Sequence, residues 1–230
     1  MRREKLGQIK IRIADLVRRE QAHWASLITT LIINNTACYD GQTFFYTAHT
    51  EGDSGSQSND LSASDYSSLD IGTAGAPTAA EAQAMVQEVI GHFYTLKDDQ
   101  GQPINEDANQ FTIVCPTPKM YQPILTAVTK MTLTTSGGAS VDNPLVGVGW
   151  TPKVVLNSRF TSSEANYFWV LRSGVPMKPF IRQQEGSLVN QILDEESDHY
   201  FMEDEILIGL KANRAAGYGF WQYALRALTS

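Results

Sequence analysis

The chain has 230 residues, 42% hydrophobic, 10% aromatic and 19% charged, enough for one large domain or two small ones with a sizeable core. This composition excludes a collagen-like, disulfide-scaffold or wholly disordered chain. The 18 basic against 25 acidic residues leave a net charge of −7, which argues against a dedicated nucleic-acid binder. Cys38 and Cys115 lie far apart in sequence and form neither a redox pair nor a metal motif. A reducing interior such as the cytoplasm is therefore expected. No run approaches the roughly 20 apolar residues of a membrane span. The charged start, Met1 to Lys5, leads into no apolar signal core, so neither a membrane anchor nor a secretory leader is expected.

Ile13, Leu16, Val17, Trp24, Leu27, Ile28, Leu31 and Ile32 recur at helical spacing. They predict a helix of about 22 residues, about 33 Å long. Asn34-Asn35 is its stop signal. Tyr39-Asp-Gly41 reads as a turn and Thr43–Tyr46 as a short strand. From Thr47 to Thr78 the chain is mostly small and polar, an irregular excursion of a length that is usually functional or mobile. Thr78 and Glu81 form a capping box. It opens a second helix through Ala82, Met85, Val86, Val89, Ile90 and Phe93. Phe111–Cys115 reads as a buried strand. A third helix follows Pro116 and Pro118 through Tyr121, Ile124, Leu125 and Val128, with Pro123 in its early turns. Beyond the break at Ser136-Gly-Gly138 the candidates are strands, at 153–156, 165–171, 180–181, 206–208 and 219–225. The order of helices and strands predicts an α+β or α/β layer.

Recognisable catalytic chemistry is sparse. His49 and Gly52-Asp-Ser-Gly55 superficially resemble the histidine and nucleophile regions of trypsin-like proteases. Yet that chemistry gathers its residues from distant segments, whereas His49 and Ser54 are sequence neighbours. The acidic run around Asp194–Glu196, Asp198, His199 and Glu203–Glu205 lacks the register of a calcium loop and the second histidine of a zinc site. No phosphate-binding glycine loop is present. No catalytic residue, cofactor site or metal site is assigned. His23, beside Trp24, reads as a packing or surface residue.

The distribution of charge is more informative. Residues 1–20 carry Arg2, Arg3, Lys5, Lys10, Arg12, Arg18 and Arg19 against three acids. Residues 194–205 carry acids and no lysine or arginine. Such patches either face water, pair within one subunit, or pair head to tail between copies. The third case makes Arg2, Arg3, Arg18, Arg19, Glu203, Asp204 and Glu205 candidate subunit-interface residues. Reversing Glu203, Asp204 and Glu205 to lysine would then weaken assembly more than folding.

Several stretches carry a family likeness. Phe168–Leu171, Met177–Ile181, Asp198–Asp204 and Arg214-Ala-Ala-Gly-Tyr-Gly-Phe-Trp-Gln222 resemble the major head subunit of Mu-like phages and prophages. So do Lys5–Gly7, Cys38–Phe45 with His49, and Ser58-Asn59. Arg214–Gln222 is the most specific of these. The likeness runs in order over nearly the whole chain.

The resemblance implies an α+β fold of the tailed-phage major capsid type. Its long spine helix and sheet form a peripheral domain, and a central α/β axial domain points to the capsomer axis. The implied division is a peripheral segment 1–46 with the spine helix at 12–34, an irregular loop 47–78, an axial domain 79–174 and a returning peripheral sheet 175–230. That fold normally begins with an N-terminal arm and an extended loop; a start almost at the spine helix implies that most of both is missing. The implied function is structural, not enzymatic: self-assembly into hexamers and pentamers of an icosahedral virion head, put together in the host cytoplasm around double-stranded DNA. The partners are other copies of the chain and weakly held DNA, with portal, scaffold or decoration proteins left open and no membrane. An acidic subunit suits such a role, since a basic lining would grip the phosphate backbone. The alternatives are an encapsulin-like or domesticated prophage shell, and a hydrolase built on the 49–54 loop.

Overall fold

In chain order the elements are α1 (Arg2–Asn34), β1 (His49–Thr50), β2 (Ser56–Gln57), β3 (Asp60–Leu61), α2 (Ala79–Phe93), β4 (Gln110–Cys115) and α3 (Pro118–Thr129). They continue as β5 (Thr132–Thr134), β6 (Ser140–Asp142), β7 (Thr151–Leu156), β8 (Tyr167–Arg172), β9 (Phe180–Leu193), α4 (Asp198–Glu203), β10 (Leu207–Tyr218) and β11 (Ala224–Leu228). The computed structural model describes residues 2–134, 138–147, 149–193 and 196–230. Two units emerge: unit 1 is 1–31 with 181–217, and unit 2 is 32–180 with 218–230.

Unit 1 is built from α1 and the ribbon β9–β10. Its half-buried residues Ile13, Leu16, Glu20, Trp24, Leu27 and Ile28 follow the helical period of one α1 face. The Trp24 ring lies under two guanidiniums, Arg214 at 4.9 Å and Arg182 at 5.4 Å from its centroid. Arg214 also pairs with the Glu20 carboxylate and donates to the Glu20 carbonyl at 3.0 Å. Among its described residues, unit 1 contains no fully buried apolar side chain. A two-stranded ribbon alone is marginal in water, and a helix draws most of its stability from packing one face. Unit 1 therefore has little core of its own.

Unit 2 carries the core. Its five-stranded sheet runs β3-β11-β8-β4-β7. The outer pairs β3–β11 and β4–β7 are parallel, and β8 is antiparallel to both of its neighbours. Central β8 is buried at Phe168, Trp169, Val170 and Arg172, the near-continuous burial of a strand covered on both faces. The parallel step from β4 to β7 requires a crossover, which α3 supplies. α2 packs on α3, burying Ala82, Met85, Val86, Val89, Ile90 and Phe93. α3 buries Met120, Ile124 and Ala127 and accommodates Pro123. Phe160 stacks on Trp169 at 4.2 Å. Arg172, 4% exposed, donates to the Ile104 carbonyl, Asn105 Oδ1 and Asp107.

The expected capping box is present. Glu81 N–H donates to Thr78 Oγ1 at 3.3 Å, and Thr78 N–H donates to Glu81 Oε2 at 2.7 Å. The N–H groups of Thr78 and Gly72 hold the Glu81 carboxyl below its ordinary value. Because the folded state prefers the carboxylate, this contribution is complete above the unfolded value near 4.5 and fades as pH falls through the lower folded value. Thr78→Ala is expected to destabilise unit 2 by about 1 kcal/mol. Urea titrations of the two proteins at neutral pH check this.

Several expectations need correction. α1 begins at Arg2, not near residue 12; the alternation of Ile9, Ile11 and Ile13 masked a stretch of good helix formers with no proline to stop it. Thr43–Tyr46 is not a strand and has only the bridge from Thr43 to Ala37. The Phe45 N–H and carbonyl are instead bound by the Asn35 side chain at 2.7 and 3.0 Å. The 180–181 and 206–208 strands grow into β9 and β10. Gly219–Tyr223 leads into a 3-10 turn at Trp221–Tyr223, and the last strand starts only at Ala224. The hairpin β5–β6 was not expected. Ser136 and Gly137 of the expected break lie outside the described residues.

The 47–78 excursion holds only short elements, yet it is anchored, burying His49, Asn59, Leu61 and Leu69. At its bend Gly52 has φ +52, and a Cβ there would fall 2.2 Å from the Asp99 carbonyl. No other residue fits so close an approach.

Candidate functional site

The candidate interface residues all fall in unit 1. Arg18 and Arg19 are exposed on α1 and share one carboxylate, Asp15: Arg18 donates to Oδ1 at 2.8 Å and Arg19 to Oδ2 at 2.8 Å. These bonds, Arg18's first, hold the Asp15 carboxyl below its usual range. One acid between two guanidiniums leaves a surplus positive charge. Such exposed pairs add little stability. The side chains of Arg2 and Arg3 lie outside the described residues.

Glu203 closes α4 within the segment linking β9 to β10. Asp204 caps it in the left-handed conformation, φ 54, with its N–H donating to the Tyr200 carbonyl at 2.8 Å. Glu203, Asp204 and Glu205 are all exposed; Asp194 and Glu195 lie outside the described residues. Among the described residues no ion pair joins this acidic group to Arg18 or Arg19 within the chain. Sequence reading missed its apolar companions. Phe201 is 91% exposed and Met202 80%. A helix of six residues is too short for its period to mark an apolar face.

In unit 2 the residues of several family-like stretches meet in one buried polar knot. His49, fully buried, stacks on Trp221 at 4.2 Å with an interplanar angle of 6°. Its Nδ1 faces Asp40 Oδ2 at 2.5 Å and its Nε2 faces Asn59 Oδ1 at 3.2 Å. Asn59 Oδ1 also accepts from Tyr46 N–H at 2.8 Å, and its Nδ2 donates to the Phe44 carbonyl at 2.8 Å and the Trp221 carbonyl at 3.4 Å. Nearby, Gln222 donates to Glu51 Oε2 at 2.7 Å, and Tyr39 O–H donates to the same oxygen at 3.0 Å. Burial raises the Tyr39 hydroxyl above its ordinary value.

This knot bears on the hydrolase alternative. Ser54 Oγ accepts from Glu51 N–H at 3.0 Å and donates to the Gly55 carbonyl at 2.9 Å. The bonds of His49 go to Asp40 and Asn59, so the base–nucleophile pair that such chemistry needs is not formed. His92 is a packing histidine: Tyr66 O–H donates to its Nδ1 and its Nε2–H donates to the Ser58 carbonyl, both at 2.8 Å. Burial lowers its pKa and keeps it suited to that neutral pattern. His23 is exposed.

Both cysteines are free thiols, and burial pushes Cys115 up to about 12. Among the described residues no group of three His, Cys, Asp or Glu side chains is placed to hold a metal ion. No helix among them is long and apolar enough to cross a membrane.

Comparison with known proteins identifies the setting of these features. The family model of the Mu-like prophage major head subunit gpT matches residues 1–74 and 139–229. The unmatched stretch between them contains α2, β4 and α3. The matched parts contain both halves of the His49 knot and all of unit 1. The major capsid protein of Escherichia phage Mu is 42% identical over 60 residues, 25% of this chain and 19% of that protein. The matched stretch thus spans about a fifth of that relative. With its family model matched over well over half its length, the chain belongs to the Mu-like prophage major head subunit gpT family.

Proposed function

We propose that the chain is a non-catalytic shell subunit whose copies join in rings of six and five and close an icosahedral phage head around double-stranded DNA. Membership of the head-subunit family supports this reading, as does the partial likeness to the Mu capsid protein. The observation that carries it is unit 1, the part of α1 up to Leu31 and a long ribbon, without a buried apolar side chain among its described residues. An element of that kind is completed by neighbours. In this reading α1 and β9–β10 take the peripheral role, and the five-stranded sheet with α2 and α3 takes the axial one. Arg18, Arg19, Glu203, Asp204 and Glu205 lie at contacts between copies.

Light scattering and negative-stain images of the native protein test the proposal. Rings of five and six or closed particles are expected; a population of single chains at every concentration overturns it. DNA is held weakly in this reading, because the subunit's net charge of −7 offers few counterions for release. Filter binding at physiological salt is expected to give affinities no tighter than the non-specific range, about 10⁻⁴–10⁻⁶ M. Nanomolar binding refutes that part.

A further inference from the structure

The buried ring of His49 in unit 2 faces an oxygen on either side. Its Nδ1 lies 2.5 Å from Asp40 Oδ2 and its Nε2 lies 3.2 Å from Asn59 Oδ1. Asn59 cannot turn its amide round to present a donor: Tyr46 N–H donates to its Oδ1, and its Nδ2 donates to the carbonyls of Phe44 and Trp221. Asp40 is an acceptor at its other oxygen too, since Oδ1 takes the Gln42 N–H at 3.0 Å. A neutral imidazole has one N–H and one lone pair, so either tautomer would aim a lone pair at an oxygen. The side chain of His49 is 0% exposed and that of Asp40 9%, so bulk water does not mend the mismatch.

We propose that His49 is an imidazolium in the folded chain, donating from both ring nitrogens, and that its extra proton fastens Asp40 and Asn59 around Trp221. The flat stack on the Trp221 indole, 4.2 Å between centroids, is a seat that suits a cation. The Asp40 carboxylate supplies the counter-charge. A buried ion pair needs its remaining donors and acceptors satisfied, and Asn59 and Gln42 do this here. The clasp lies wholly in unit 2 and operates whether or not copies form a shell.

Such a clasp makes unit 2 sensitive to alkali. An unfolded histidine gives up its proton above about pH 6.5, whereas the folded knot retains it. The stabilisation is therefore complete below that value and fades as pH rises. It fades again in acid below about pH 3.9, where an unfolded aspartate takes up a proton. Around the ring stand Asp40, Asn59, Trp221 and the Tyr46 ring at 5.6 Å. Glu51, held by Tyr39 and Gln222, is the next carboxylate along the chain. Among the described residues no lysine or arginine pairs with Asp40 or Glu51. Burial raises the Cys38 thiol and the Tyr39 hydroxyl, so neither loses its proton near neutrality. Burial lowers His92, which contributes with the opposite sign, so the comparison is made between variants in which His92 is unchanged.

Asp40→Asn is the diagnostic variant, because its amide can donate to Nδ1 and so suits a neutral ring. In nitrogen NMR spectra of the whole histidine-labelled chain at about pH 7.5, above the ordinary histidine range, His49 is expected to show two N–H nitrogens. Asp40→Asn is expected to leave one of them bare, and His49→Gln assigns the signals. Solution spectra serve single chains and magic-angle spinning serves assembled ones. In urea titrations at one low protein concentration, the folding equilibrium of the parent is expected to fall by up to about tenfold more per pH unit than that of Asp40→Asn between about pH 6.5 and 8.5. A bare nitrogen on His49 in the parent overturns the proposal, and so do equal slopes. If Asp40→Asn fails to fold, the parent spectrum alone decides.

Discussion

Replacing Trp221 with alanine is expected to cost unit 2 about 3–5 kcal/mol, the usual range for emptying a buried tryptophan site. Trp221 is fully buried, stacks flat on His49 and offers its backbone carbonyl to Asn59. Removing the indole leaves a cavity against the His49 ring while Asp40 and Asn59 still hold that ring in place. The surrounding residues have little freedom to collapse into the space. At about 2–4 °C per kcal/mol for a domain of this size, the unfolding transition of unit 2 should fall by about 6–20 °C. Trp221→Phe is the informative control. Among the described residues the buried Trp221 Nε1–H has no acceptor, so phenylalanine removes an unsatisfied donor as well as surface. Its expected cost is about 1–2 kcal/mol. Circular dichroism melts measure both. An alanine variant that melts within about 2 °C of the parent would mean that the knot does not hold unit 2 together.

The same knot shows what sequence reading reaches and what it does not. α2 was legible throughout, because its cap, acidic third residue and apolar period all point the same way. The end of α1 was legible at Asn35, whose φ of 42 is a conformation asparagine tolerates. Phe44 and Phe45 misled because their aromatic pairing suits a strand. Their backbone is claimed instead by Asn35, Thr36 and Asn59, and no local pattern announces a side-chain amide that binds a distant main chain. The 47–78 segment read as irregular because it is rich in small residues, but its anchors answer to Trp221 and Arg226, more than 160 positions away. β9 and β10 were legible only at their tips. β9 is exposed along nearly all its length, and the alternation of exposed and half-buried positions in β10 rests on Ala212, Arg214 and Ala216, which give the sequence no apolar bulk to display it. The charge patches were visible from the start, whereas the exposed apolar pair beside the acidic one was hidden by the brevity of α4.

Asp60→Ala is the second substitution expected to act strongly, at about 3–5 kcal/mol. The parallel register of β3 and β11 sets Asp60 opposite Arg226. The guanidinium grips the carboxylate with two bonds, Nε to Oδ1 at 2.7 Å and its second nitrogen to Oδ2. It also lies 5.2 Å from the ring centroids of both Phe45 and Tyr167. With the carboxylate gone, a mostly buried cation keeps its aromatic neighbours and loses its counter-charge. Exchanging both partners for apolar residues, Asp60→Leu with Arg226→Met, removes the two charges together and should cost less than Asp60→Ala alone. Arg226→Lys should fall between them, since an ammonium cannot reproduce the two-pronged bond. Urea unfolding of the four proteins orders these effects. The pairing is the cause only if the double variant is more stable than Asp60→Ala. The reverse order would show that β3 is held by its backbone bonds and apolar contacts, with the ion pair a bystander.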